Sequence, residues 1–143
     1  MSLSNLLKTN QLQIHEASHL QIQQLLTAAK RNYKDASCLS ISHENRFDAA
    51  YKCIMQCAMI GLWVKGYRTS THQPGHHQVA IQTLSLTLAL PQKDIIIFDA
   101  LRKLRNVSDY EGDPIPDGTV KECIKEAGRL LKTTEAWLKK HSS

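Results

Sequence analysis

The 143 residues fit one domain of ordinary size. Apolar residues make up 42% and aromatic residues only 6%, so the core is built from Leu, Ile, Ala and Val, which argues against a sandwich of β-branched strands. The 18 Lys and Arg against 13 Asp and Glu leave a net charge of +5, an excess that favours anionic partners but is too small to identify one.

Residues 1–17 are polar, with scattered Leu3, Leu6, Leu7, Leu12 and Ile14. They read as a weakly fixed N-terminal arm or short helix ahead of a single helical domain over residues 18–143. Met1-Ser2-Leu3-Ser4-Asn5 lacks the basic-then-apolar order of a secretory leader, and no apolar run is long enough to cross a membrane. His15-Glu16-Ala17-Ser18-His19 spells His-Glu-x-x-His, which on a helix would set two zinc-binding histidines on one face. Its polar flanks, its terminal position and the absence of a third histidine in Leu20-Gln21-Ile22-Gln23-Gln24 favour two solvated histidines instead.

Ser18 is placed to cap a helix running to about residue 38, with the stripe Leu20, Ile22, Leu25, Leu26, Ala29, Tyr33 and Ala36 at period 3.6. A second helix starts near Ser42, with Glu44 in its first turn, and stops at Gly66. Between residues 49 and 64 it is apolar on most sides, so it is the predicted central helix. Thr69 to Gly75 is a loop. A third helix runs from His76 to about Leu90, although the alternation Val79, Ile81, Leu84, Leu86, Leu88, Leu90 also fits a strand.

Pro91 breaks the chain, and a fourth helix runs from about Lys93 to Tyr110. After the turn-rich Glu111 to Gly118, a last helix spans about Thr119 to His141 with Val120, Cys123, Ile124, Ala127, Leu130, Leu131, Thr134, Trp137 and Leu138 inward. Four or five antiparallel helices with short loops predict an all-α, up-and-down bundle. Cys38, Cys53, Cys57 and Cys123 contain no Cys-x-x-Cys pair. They read as free thiols in a reducing cytoplasm. Nothing calls for a metal or a cofactor.

The chemistry-bearing stretch is Phe98 to Tyr110. Helical spacing turns Phe98, Leu101 and Leu104 to one side and Arg102, Arg105, Asn106, Asp109 and Tyr110 to another. Arg is always charged and grips phosphate with two donors. Asn106 adds a donor, and Asp109 is one turn from Arg105, close enough to orient it. The plainer reading is a pair of surface ion pairs, Arg105–Asp109 and Arg102–Asp99. His72, His76 and His77 cluster around Gly75 with no further metal ligand in view. A histidine at this helix start is held neutral by the helix dipole and serves as a cap, a packing group or a base.

Three places resemble the HEPN family (higher eukaryotes and prokaryotes nucleotide-binding). They are Asp48-Ala49-Ala50-Tyr51-Lys52 through Leu62-Trp63-Val64-Lys65-Gly66-Tyr67-Arg68; Gly75-His76-His77; and Leu104-Arg105-Asn106-Val107-Ser108-Asp109-Tyr110. The similarity spans most of residues 19–140. It implies a homodimer with two Arg-containing motifs around a shared cleft. It also implies metal-independent ribonuclease chemistry in many members, and toxin–antitoxin or defence systems with a nucleotidyltransferase-like antitoxin as partner. In that chemistry a His following the Arg by four to six residues moves the proton of the ribose 2′-hydroxyl, while the Arg stabilises the phosphate.

This chain departs from the pattern. Tyr110 stands where the His is due, followed by Glu111 and Gly112, and a phenol with a pKa near ~10 is a poor base. Either His76 or His77 substitutes, or the protein binds without cutting. The favoured reading is RNA or nucleotide binding around Arg102, Arg105, Asn106 and Asp109. The alternatives are a ribonuclease with Arg105, Tyr110, His76 and His77 as its catalytic candidates, and a protein-interaction module.

Overall fold

The computed structural model describes residues 1–112 and 114–141. It is mostly helical. In chain order the elements are α1 (Leu3–Lys8), β1 (Leu12–Ile14), α2 (His19–Ala36), α3 (His43–Val64), β2 (Tyr67–Thr69), α4 (His76–Thr87), α5 (Gln92–Glu111) and α6 (Asp117–His141). Among the described residues no helix is long and apolar enough to cross a membrane.

The helix starts follow from their caps. Ser18 Oγ accepts from the Gln21 N–H at 3.1 Å, and the Gln21 side chain accepts from the Ser18 N–H at 2.9 Å. This reciprocal arrangement satisfies two donors that a helix start otherwise leaves free. At α3 the cap is one-sided: Ser42 Oγ accepts from the Asn45 N–H at 3.2 Å. Helix α3 is the central element, as its pattern predicts: Phe47, Ala50, Tyr51, Ile54, Ala58, Ile60 and Leu62 are each at most 1% exposed. Helices α2, α4, α5 and α6 all pack on it.

Side-chain contacts fix the helix directions. Helix α2 runs against α3: Arg46 Nε donates to the Ala36 carbonyl at 2.8 Å, and Asn32 Nδ2 donates to Gln56 at 2.8 Å. Helix α6 runs with α3, because Cys123 meets Phe47, Cys53 meets Ala127, and Lys65 lies over the Trp137 ring. Helix α4 also runs with α3: His77 touches Tyr51 near one end, and Thr87 lies against Gly61 ten residues further along both helices. The expected strict alternation of up and down therefore breaks between α3 and α4.

The cause is the segment between those two helices. It does not turn straight back; Tyr67–Thr69 pairs antiparallel with Leu12–Ile14, and the chain then returns along the bundle before α4 starts. The apolar run of α4 forms a helix rather than a strand. It ends at Thr87, short of Leu90, because Ala89 takes a left-handed φ of 57° and the Leu90 N–H turns back onto the Leu84 carbonyl.

Residues 1–17 contain the short helix that was one of the two expected forms, and they are tied to the bundle more firmly than a weakly fixed arm. Ser2 caps α1, β1 forms the partner strand of β2, and Leu6 and Leu12 bury themselves against Leu62. Two further residues depart from their predicted faces: Leu20 of α2 and Leu104 of α5 are 66% and 40% exposed. The His-Glu-x-x-His string does not lie on one helix. His15 follows β1 and packs on Trp63 at 4.9 Å, while His19 opens α2. Among the described residues, no group of three or more His, Cys, Asp or Glu is arranged to hold a metal.

Candidate functional site

Three helices converge on Tyr51. It sits on the buried face of α3 and is 1% exposed. Its hydroxyl lies 3.3 Å from Nδ1 of His77, at the start of α4. The Arg105 guanidinium, from the C-terminal half of α5, stands over its ring at 5.3 Å. Such a cation over an aromatic face is held by the ring quadrupole. His76 meets His77 edge-on at 4.6 Å. The pairing of α4 with α3 thus brings His77 to the Arg-bearing helix, 28 residues away in sequence.

Both ion pairs foreseen on α5 are formed. Arg102 Nε donates to Asp99 at 2.8 Å, and this contact first, with the charges of Arg102 and Lys103, holds the Asp99 carboxyl below its ordinary range. Arg105 Nε lies 3.2 Å from Asp109 and 3.6 Å from Asp48 of α3. Those oxygens sit off the N–H direction, for Nε is buried and makes no hydrogen bond. The contact is Coulombic and poorly aligned. At 34% and 45% exposure both carboxylates are solvated, so each pair is worth only about 0–1 kcal/mol.

Arg105 also forms part of the wall of a cleft of about 250 Å³ with Glu44, Asn45, Asp48, Lys52, Ser108 and Asp109. That cleft carries three carboxylates against two cations, so it is not an anion pocket. Arg102 and Arg105 lie close enough to His77 for their charges to bear on its ring. Asn106 is half-buried. The Tyr110 side chain lies outside the described residues.

Besides Asp99, two more ionisable groups of the site are displaced from their ordinary values. Burial pushes the Tyr51 hydroxyl up to about 12, against the opposing pull of Arg105 and Arg102. Burial also lowers the His77 pKa, helped by His76, Arg105 and Arg102. Burial leads here, where the sequence suggested the helix dipole. A histidine with a lowered folded-state pKa is neutral in the fold, while the unfolded chain binds more protons. Its contribution is therefore complete above the ordinary value of about 6.5 and is lost as the pH falls through the folded-state pKa. Urea unfolding across this window should show a steeper acid loss of stability for wild type than for His77→Gln; equal slopes would show that His77 is not desolvated.

Tyr51 and Asp48 are the site residues that sequence reasoning missed. Both entered the sequence reading as part of the Asp48 to Arg68 stretch of the resemblance, with no role assigned to either. One signal was available: a buried tyrosine needs a partner for its hydroxyl, and Asp48 and Tyr51 are three residues apart, on one face of α3. No protein-family model matches the chain, and a search of curated proteins finds no match.

Proposed function

We propose that this chain is a HEPN-like helical protein that binds RNA or a nucleotide without cutting it, through the edge formed by Arg102, Arg105, Asn106 and His77. The observation that carries the reading is the convergence of Arg105, Tyr51 and His77 from three helices. A charge-assisted hydrogen bond to phosphate is worth about 1.5–3 kcal/mol. That exceeds the weak pairs with Asp48 and Asp109, so a phosphate can draw the guanidinium away from them. Asp109 then serves to orient Arg105 rather than to touch the ligand.

A homodimer fits the same helix. Ile96, Leu104 and Val107 of α5 are 61%, 40% and 39% exposed. With Ala100 they form one stripe beside the arginines. A second copy packed on this stripe would set two Arg105 sites near each other. The free cysteines suit a reducing cytoplasm, and a toxin–antitoxin role with a nucleotidyltransferase-like partner is the setting the resemblance implies.

The test uses a fluorescent oligouridine RNA across a salt series. Wild type should bind more weakly as salt rises. Arg105→Ala should weaken binding about tenfold or more and flatten the salt slope by roughly 0.7, the share of one phosphate contact on a single strand. Sedimentation of the same samples should give a two-chain mass that Leu104→Lys reduces to one. Binding indifferent to Arg105→Ala removes this reading in favour of a protein-interaction module.

A second reading, a metal-independent ribonuclease, is favoured by one observation: His77 is held neutral beside two arginines. Cleavage of RNA in excess chelator, lost in His77→Gln, would establish it. In that case Arg105 and His77 rather than Tyr110 would carry the chemistry.

A further inference from the structure

Among the described residues, the Tyr51 hydroxyl has one hydrogen-bond partner, Nδ1 of His77 at 3.3 Å. Tyr51 is 1% exposed, so water does not supply another. If Nδ1 carried the proton and donated, the hydroxyl would accept and its own proton would be left without an acceptor among the described residues. If the hydroxyl donates, both groups are satisfied at once. A neutral imidazole has one donor nitrogen and one acceptor nitrogen, and the partner of one sets the role of the other.

We infer that Tyr51 is a positioning residue: its buried hydroxyl fixes neutral His77 with the proton on Nε2, so that the imidazole offers a phosphate oxygen a donor rather than a base. The inference rests on the phosphate-binding reading for its ligand, an RNA phosphodiester, but the tautomer itself does not depend on it. It also separates the two readings of the site. A base that takes a proton from a ribose hydroxyl needs a bare nitrogen facing the substrate. Here the bare nitrogen faces inward to Tyr51, and the nitrogen left for a ligand already holds its proton. The groups around the ring agree with a donor role. Arg102 and Arg105 from α5 act on the ring as positive charges and favour an anion over a hydroxyl proton.

Long-range proton–nitrogen correlation NMR of the full chain tests this at a pH above the histidine range. Wild-type His77 should show a protonated Nε2 and a bare, hydrogen-bonded Nδ1. Tyr51→Phe, checked for folding by its amide spectrum, should lose that preference and give a mixture of tautomers. A wild-type spectrum with the proton on Nδ1 overturns the inference without any variant, and so does a Tyr51→Phe spectrum with the preference intact.

Oligouridine RNA is then added to wild type. The His77 Nε2–H resonance should move, His77→Ala should bind about tenfold more weakly, and His77→Gln, which keeps an N–H donor, should recover most of that loss. RNA that binds and leaves Nε2–H unmoved overturns the donor role. RNA that does not bind at all, with the tautomer as expected, overturns the phosphate-binding reading and the donor role while leaving the Tyr51 effect standing.

Discussion

Arg129→Ala should lower the free energy of urea unfolding by about 2–4 kcal/mol, far more than the loss of any other surface cation. Arg129 ties α6 to the start of α5. Its Nη2 donates to Asp94 at 2.8 Å and to Glu126 at 2.6 Å, and those two side chains are only 5% and 6% exposed. Removing one partner of a buried ion pair costs about 3–5 kcal/mol, because the other charge is left desolvated. Here one cation serves two carboxylates, so its loss leaves two like charges facing each other. Two features lower the figure. The Arg129 side chain is 48% exposed, so water enters when it is cut back. Asp94 sits in the first turn of α5, where the helix dipole favours its charge.

Lys121 gives the contrast. It pairs with Asp117 at 3.1 Å, with 74% and 53% of the two side chains exposed, and Lys121→Ala should leave the stability nearly unchanged. Adding Asp94→Asn and Glu126→Gln to Arg129→Ala should restore part of the loss. A loss in Arg129→Ala as small as that in Lys121→Ala would mean that the carboxylates are hydrated in solution.

The long helices were legible because their signals are local. Ser18 and Ser42 mark helix starts within four residues, and the stripe from Val120 to Leu138 shows which face of α6 turns inward. The Arg105–Asp109 pair was legible for the same reason, being one turn apart. What stayed hidden depends on partners distant in sequence. The β1–β2 pair joins two strands of three residues, and Leu12 needs Thr69 beside it before either reads as strand. Asp94 and Arg129 are 35 residues apart. Leu20 and Leu104 satisfy a helical stripe, yet both stay exposed in the fold. The direction of α4 was the costliest omission for function. With it misread, His77 is only a helix-start histidine; with it known, His77 is the neighbour of Tyr51 and Arg105.

Gly61→Leu should therefore damage both the fold and the site, although residue 61 touches no ligand. A Cβ at this position would stand 2.7 Å from Thr87 Oγ1 and 2.8 Å from Leu88 Cδ1. Both neighbours are nearly buried, at 5% and 8% exposure. Thr87 cannot swing away freely, since its hydroxyl donates to the Thr83 carbonyl at 3.2 Å. Losing a mid-helix glycine returns about 1 kcal/mol of helix propensity. Overpacking a core contact costs about 1–3 kcal/mol, and leucine adds three carbons beyond the clashing Cβ, which puts it at the upper end, so a net loss of about 2 kcal/mol is expected in urea unfolding. Gly61→Ala should lose less, because the propensity gain offsets more of its smaller overlap. Relief of the clash requires the C-terminal end of α4 to move off α3. A rigid helix transmits that tilt to its other end, so the His77 imidazole resonances should shift and RNA affinity should fall with them. Leu88→Ala opens space beside the new side chain, so combined with Gly61→Leu it should cost less than the two single losses added together, with a coupling of about 0.5–3 kcal/mol. Strict additivity, or a His77 spectrum untouched by Gly61→Leu, would show that the close α3–α4 contact is not what holds His77 against Tyr51.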